Sequence, residues 1–276
     1  MNKLTPLQTA LLNMFEWLTK FLEEQNIRYY IIGGTLLGAC RHNGFIPWDD
    51  DIDIGIPRED YERLLKLFDR PIDHYVLESY HNGSKHYFLT FSKIYDMNTT
   101  MTLVTNKPIT RGVFIDIFPL DGAGNTNDEI EKQAKVIFNR QLFMGRYMIP
   151  IDKKYGIKNL LYILCKLIPV NVKKYLAKSD SLAKKYSFSS CDYVANFGGS
   201  YGRRETMPKR YFGEPQKYRF EHLMVYGPAE ADLYLKHVYN DWQKLPPVEK
   251  RQVHNLENID LSHPFSQATD VKDILK

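Results

Sequence analysis

Apolar residues recur at helical spacing in the first segment, where Leu7, Leu11, Met14, Leu18 and Leu22 share one face. Thr5-Pro6 ahead of them is a good N-cap with Pro at the first helical position, so an amphipathic helix is expected to run to about Glu24. The period then changes. Residues 28–32 are a β-branched and aromatic run stopped by Gly33-Gly34, which predicts a strand entering a tight turn, with Thr35 capping a short helix over 36–40. Downstream, Ile52, Ile54 and Ile56 alternate with polar or small residues, the mark of a half-buried strand closed by Pro57. Tyr61, Leu64, Leu65 and Phe68 mark a helix. Residues 87–95 and 100–104 read as further strands, and 112–118 as another alternating run ended by Pro119 and the turn Asp121-Gly122. The box Thr126-x-x-Glu129 opens a long helix toward Tyr147.

These elements predict an α/β (α+β) fold, a mixed sheet with covering helices over residues 1–150, followed by a mainly helical lobe over 151–276. In that lobe, 151–190 is rich in Lys and Leu and holds LLYILCKLIPV, 192–221 is a loop region rich in Arg, Lys, Tyr and Gly, and a last helix is expected over 229–242. The apolar run flanked by lysines suits either a membrane-surface helix or a core helix with solvated ends. Arg203, Arg204, Lys209 and Arg210 form a basic stretch that suits an anionic acceptor chain or an ordinary surface.

Composition narrows the class. Of 276 residues, 43% are hydrophobic and 25% charged, the balance of a globular protein with ample core. A net charge of +4 falls short of the basic excess expected for a protein holding long nucleic acids, so small phosphate-bearing ligands fit better. Cys40, Cys165 and Cys191 are odd in number and lack paired spacing, which argues against a disulfide framework or a zinc site and for a reducing, cytoplasmic setting. No secretory signal is evident, and no run approaches the ~18 apolar residues of a spanning helix.

The acidic run Asp49-Asp50-Asp51-Ile52-Asp53 carries the chemistry. On a strand, Asp51 and Asp53 project to one face ~6.6 Å apart while the isoleucines anchor to the core. Two carboxylates so close repel unless a cation joins them, and oxygen ligands without nearby His or Cys favour magnesium, with manganese an alternative. Asp116, in the apolar run Val113-Phe114-Ile115-Asp116-Ile117-Phe118, is the best third member, because a carboxylate there is costly unless paired or metal-bound. A charged surface strand would also show acidic side chains on its polar face. An EF-hand does not fit: the Gly required at loop position six would be Ile54, and the closing Glu would be Asp60. Gly33-Gly34-Thr35 offers backbone N–H groups at a helix start, suited to phosphate, and Arg41 and His42 follow closely.

The stretch IIGGTLLGACRHNGFIPWDDDIDIGIPRED, with GVFIDIFPLDG, resembles the LicD family of phosphocholine transferases, which includes the fukutin-related proteins and belongs to the nucleotidyltransferase-fold superfamily. The resemblance is dense over 28–60 and 111–122, extends to YLKHVYNDWQKLPP, and departs from the family's Tyr-Gly-Asp at Tyr239-Asn240-Asp241. It implies that Asp51, Asp53 and Asp116 are catalytic and bind metal. Gly33, Gly34 and Thr35 would hold phosphate and Lys93 would pair with the nucleotide phosphates, while the position of Arg41 by itself suits phosphate charge or a solvated helix end. The resemblance implies a CDP-choline or similar CDP-alcohol donor and a lipid-linked glycan acceptor of teichoic acid, capsule or lipopolysaccharide type, met at the cytoplasmic face with peripheral contact to the inner membrane surface. Asp116 would be the proton acceptor or a pure metal ligand. A trimethylammonium group would call for an aromatic cage, with Trp48 among many candidates. A metal-dependent glycosyltransferase, which also uses D-x-D, and an inactive nucleotide-sensing module are the competing classes.

Overall fold

The computed structural model describes residues 3–83, 87–105, 108–148, 169–251 and 256–265. Cys165 and nearly all of LLYILCKLIPV lie outside the described residues. Helix α1 (Pro6–Glu24) opens with a reciprocal cap: the Thr5 hydroxyl accepts from the Gln8 N–H, and the Gln8 side chain accepts from the Thr5 N–H. Strand β1 (Tyr30–Ile31) runs into α2 (Gly33–His42), and β2 (Asp53–Pro57) into α3 (Arg58–Leu67). Next come β3 (Tyr75–Glu78), β4 (Ser92–Asp96), β5 (Thr100–Leu103), β6 (Ile109–Arg111) and β7 (Phe114–Gly124). Helix α4 (Asn127–Met148) and helix α5 (Val172–Ala183) precede β8 (Tyr193–Asn196) and β9 (Thr206–Pro208). The hairpin β10 (Gln216–Phe220) and β11 (Leu223–Gly227), then α6 (Ala231–Tyr239) and β12 (Leu256–Asp260), complete the order.

The main sheet runs β1-β2-β7-β4-β3, with β8 also on β7 and β9 on β8. Only β2 and β7 are parallel neighbours; the other named pairs in this sheet are antiparallel. Alternation along β2 and β7 decides which side is which. Ile52, Ile54, Ile56, Ile115 and Ile117 are fully buried. Arg58 and Tyr61 of α3 reach Asp121 and Ser92 on the helix-covered face, while the opposite face carries Asp53 and Asp116. Part of that opposite face is covered by a second, three-stranded sheet, β12-β5-β6, through a small core of Val76, Tyr95, Met101, Phe114 and Phe265.

Four local expectations need correction. Thr35 does not cap α2: the chain enters the helix at Gly33, whose φ of +56° needs no Cβ, so the N-cap is Ile32 and Thr35 lies inside. The strand expected over 87–95 begins only at Ser92. The strand expected to end at Pro119 continues to Gly124. Pro119 is tolerated because it falls in the gap where the partner changes from β4, paired through Ile117, to β8, paired from Leu120. The last helix stops at Tyr239, before Asn240 with its positive φ. Past residue 150, the described residues carry strands β8 to β12 as well as helices α5 and α6. Its strands β8 and β9 extend the main sheet, and Val194, Val225 and Leu235 share one core with Leu18, Ile31 and Ile117.

Candidate active site

The parallel pairing of β2 with β7 sets Asp53 directly beside Asp116, and β4 sets Lys93 on the other side of Asp116. One strand further, Glu78 stands opposite Lys93. A row of charges, Asp53, Asp116, Lys93, Glu78, therefore crosses four strands on one face, and Arg111 completes it with a buried ion pair to Glu78 at 3.1 Å. Asp51 joins from the extended lead-in to β2: one ligand oxygen each from Asp51, Asp53 and Asp116 lies within 4.8 Å of the others. Asp49, Asp50 and Asp51 form an adjoining group on the same criterion.

Several contacts hold these carboxylates in place. The Asp53 N–H donates to the Thr35 hydroxyl at 2.8 Å, and the Asp116 N–H to the Ile52 carbonyl at 2.9 Å. Gln8, buried in α1, donates to the Asp49 carbonyl at 3.0 Å and so ties the first helix to the acidic loop. Around the turn, a Cβ on Gly33 would lie 2.8 Å from the Asp53 Oδ2, and one on Gly34 3.0 Å from the Asp49 Oδ2. Burial, then Asp51, Asp116 and Asp49, push the Asp53 carboxyl well above the usual carboxylate range, opposed by Lys93.

The remaining expected contacts are placed differently from a simple phosphate cradle. Lys93 is buried, ion-paired to Asp116, with its ammonium 3.4 Å from the centre of the Phe114 ring. The Gly33 N–H donates to the Tyr234 hydroxyl at 3.2 Å. Arg41 donates to the Trp242 carbonyl at 2.8 Å and to the His42 ring, and burial lowers its pKa against the opposing charges of Tyr239 and Asp49. Trp48 lies under the Arg251 guanidinium at 4.1 Å.

Sequence reasoning missed a group from the C-terminal part. Tyr234 meets the glycine turn, and the Tyr201 and Tyr239 rings meet edge to face at 5.0 Å. Both feel the Asp53 charge, and burial raises both phenols. Glu205 is buried nearby, accepts the Tyr201 N–H at 3.0 Å, and has its pKa pushed up to about 7, chiefly by burial. Nothing in a lone tyrosine at helical spacing marks it as reaching a turn some 200 residues earlier. Only the Tyr239 segment of the motif pattern pointed this way.

A compact cluster of carboxylates without His or Cys, borne on a sheet beside a glycine turn, has the make-up of a phosphoryl-transfer centre. Residues 26–152 match the LicD family model, described as LicD/FKTN/FKRP, nucleotidyltransferase domain, and the chain is a phosphotransferase. It is 29% identical over 280 residues to the lipopolysaccharide cholinephosphotransferase LicD of Haemophilus influenzae, covering 93% of this chain and 98% of that protein. A shorter stretch of 58 residues, 21% of this chain, is 47% identical to the human ribitol 5-phosphate transferase FKRP, of which it covers 12%. An uncharacterized protein of Rickettsia prowazekii is 61% identical over 48 residues, 17% of this chain and 18% of its own. Among the described residues, no helix is long and apolar enough to cross a membrane.

Proposed function

We propose that this protein is a magnesium-dependent phosphotransferase that moves phosphocholine from CDP-choline to a sugar hydroxyl of a glycan precursor, working at the cytoplasmic face of a membrane. The observation that carries the reading is the convergence of Asp51, Asp53 and Asp116 on one face of the sheet. The choice of donor is supported by similarity across nearly the whole length of a cholinephosphotransferase.

The residues fit a divalent cation. Their donors are all carboxylate oxygens, the set that suits magnesium or manganese. Burial and the charges of Asp51, Asp116 and Asp49 raise the Asp53 carboxyl, and Lys93 opposes them. Asp51, Asp53 and Asp116 would hold the ion, which would neutralise charge growing on the leaving CMP and acidify the acceptor hydroxyl. The protein's own part is positional. Thr35 fixes the backbone of Asp53, Lys93 orients Asp116 through one oxygen, and Tyr234 braces the turn that admits the Asp53 carboxylate. Ligation or uptake of the acceptor proton at Asp116 then falls to its second oxygen.

Incubation with magnesium and either CDP-choline or UDP-sugars tests the reading. Release of CMP supports it. Release of UDP from a sugar donor, with CDP-choline untouched, would replace it with the glycosyltransferase alternative.

A further inference from the structure

The catalytic face of the sheet does not end at the carboxylates. Along the charge row, past Lys93, it forms the floor of a small recess lined mostly by buried side chains and roofed by the β5-β6 pair. Lys93 belongs both to this wall and to the ion pair with Asp116, so the recess begins one side chain away from the proposed reaction centre. A group carried on the transferred phosphate would be within reach of it.

The wall chemistry selects among the groups such a donor could carry. Tyr87, Phe88, Tyr95 and Phe114 supply aromatic surface, and Met101 adds a soft apolar patch. The charged groups are matched in pairs: Arg111 donates to both Glu78 oxygens, at 3.1 and 3.4 Å, and Lys93 pairs with Asp116. The Tyr87 hydroxyl is taken by the Phe91 carbonyl at 2.6 Å. A polyol such as ribitol brings several hydroxyls that each need a partner when buried, and these committed groups serve it poorly. A quaternary ammonium has no N–H to satisfy. It asks for ring faces, and it tolerates a wall whose formal charges cancel. The Phe114 ring already receives one cation, the Lys93 ammonium, on its face.

Resting on the phosphotransferase reading above, we propose that the recess between β3-β4 and β5-β6 receives the trimethylammonium head of the donor, with Phe88 and Tyr95 among its ring walls. These rings make the enzyme specific for an onium-bearing donor over a polyol-bearing one.

The test compares two donors on the full-length protein: CDP-choline and its neutral dimethylbutyl analogue, in which carbon replaces the quaternary nitrogen. CMP release gives kcat/KM for each. Wild type is expected to favour CDP-choline, and Phe88→Leu and Tyr95→Leu are expected to shrink that preference about tenfold, mainly through KM for CDP-choline. Because the readout is a ratio within one sample, a variant that folds poorly does not mimic the effect. Tetramethylammonium should inhibit wild type competitively against CDP-choline and lose potency in both variants. If wild type uses CDP-choline while both variants keep the full preference, the recess assignment is overturned and the transferase reading stands. If wild type releases CMP from CDP-ribitol in preference to CDP-choline, the onium specificity is overturned. If no CDP-alcohol is used at all, the donor class falls and takes the recess with it.

Discussion

Replacing Gly33 by Ala tests whether the glycine turn exists to admit a carboxylate. The new Cβ would sit 2.8 Å from the Asp53 Oδ2, whereas ordinary contact begins near 3.4 Å, so that oxygen must retreat by about 0.6 Å. The retreat itself is cheap, because the obstacle is the end of a side chain. Alanine must also accept the turn's φ of +56°, at ~1–2 kcal/mol. For a chain of this size that lowers the melting temperature by roughly 2–8 °C. Activity should suffer far more, since Asp53 is one of three carboxylates whose oxygens gather within 4.8 Å. Misplacement by 1 Å is worth on the order of 100-fold, so Gly33→Ala should lower kcat/KM by roughly 10- to 100-fold in a CMP-release assay. Gly34→Ala is the internal comparison. Its Cβ meets the Asp49 Oδ2 at 3.0 Å without a left-handed backbone, so both effects should be smaller. Equal losses in the two variants, or a fully active Gly33→Ala, would refute the argument.

Three more outcomes follow from the same geometry. Asp53→Asn removes a carboxylate crowded by Asp51, Asp116 and Asp49, so turnover should vanish while the metal-free protein melts no lower than wild type, and magnesium should no longer raise its melting point; a marked loss of stability by calorimetry would contradict this. Glu205 has a folded pKa of about 7 against an ordinary value of 4.5, so the folded state binds the extra proton between them. Stability from this group is full below about pH 4.5 and is lost as pH rises through 7, so Glu205→Gln should gain melting temperature over wild type at pH 8 and little at pH 5; an equal difference at both would be inconsistent. Asp121→Asn breaks the buried bidentate pair with Arg58, at 2.7 and 2.8 Å, and should cost about 3–5 kcal/mol in denaturant unfolding; a loss below 1 kcal/mol would show the pair to be dispensable.

How much of this was legible beforehand depended on whether the signal was local. Asp51, Asp53 and Asp116 stood out because each interrupts an apolar alternation, and the fold does gather them. The first helix was readable from its cap and spacing, and Thr126 with Glu129 from a four-residue box that the structure closes. Lys93 and Glu78 were not readable as neighbours, because the row they form exists only once β3, β4 and β7 are in register. Pro119 misled because a proline ends most strands, and only a change of partner strand makes it harmless. Tyr234, Tyr201 and Gln8 act across long sequence separations that no period encodes.

Strand β7 carries Asp116 near one end and Asp121 near the other, with neighbours bonded on both edges and all eleven of its residues buried. Such an element has no frayed terminus from which to peel, so its amides should exchange with deuterium only when the molecule opens as a whole. The carboxylate nearest the proposed chemistry therefore sits on the slowest-exchanging part of the chain, and partial opening elsewhere would leave it in position.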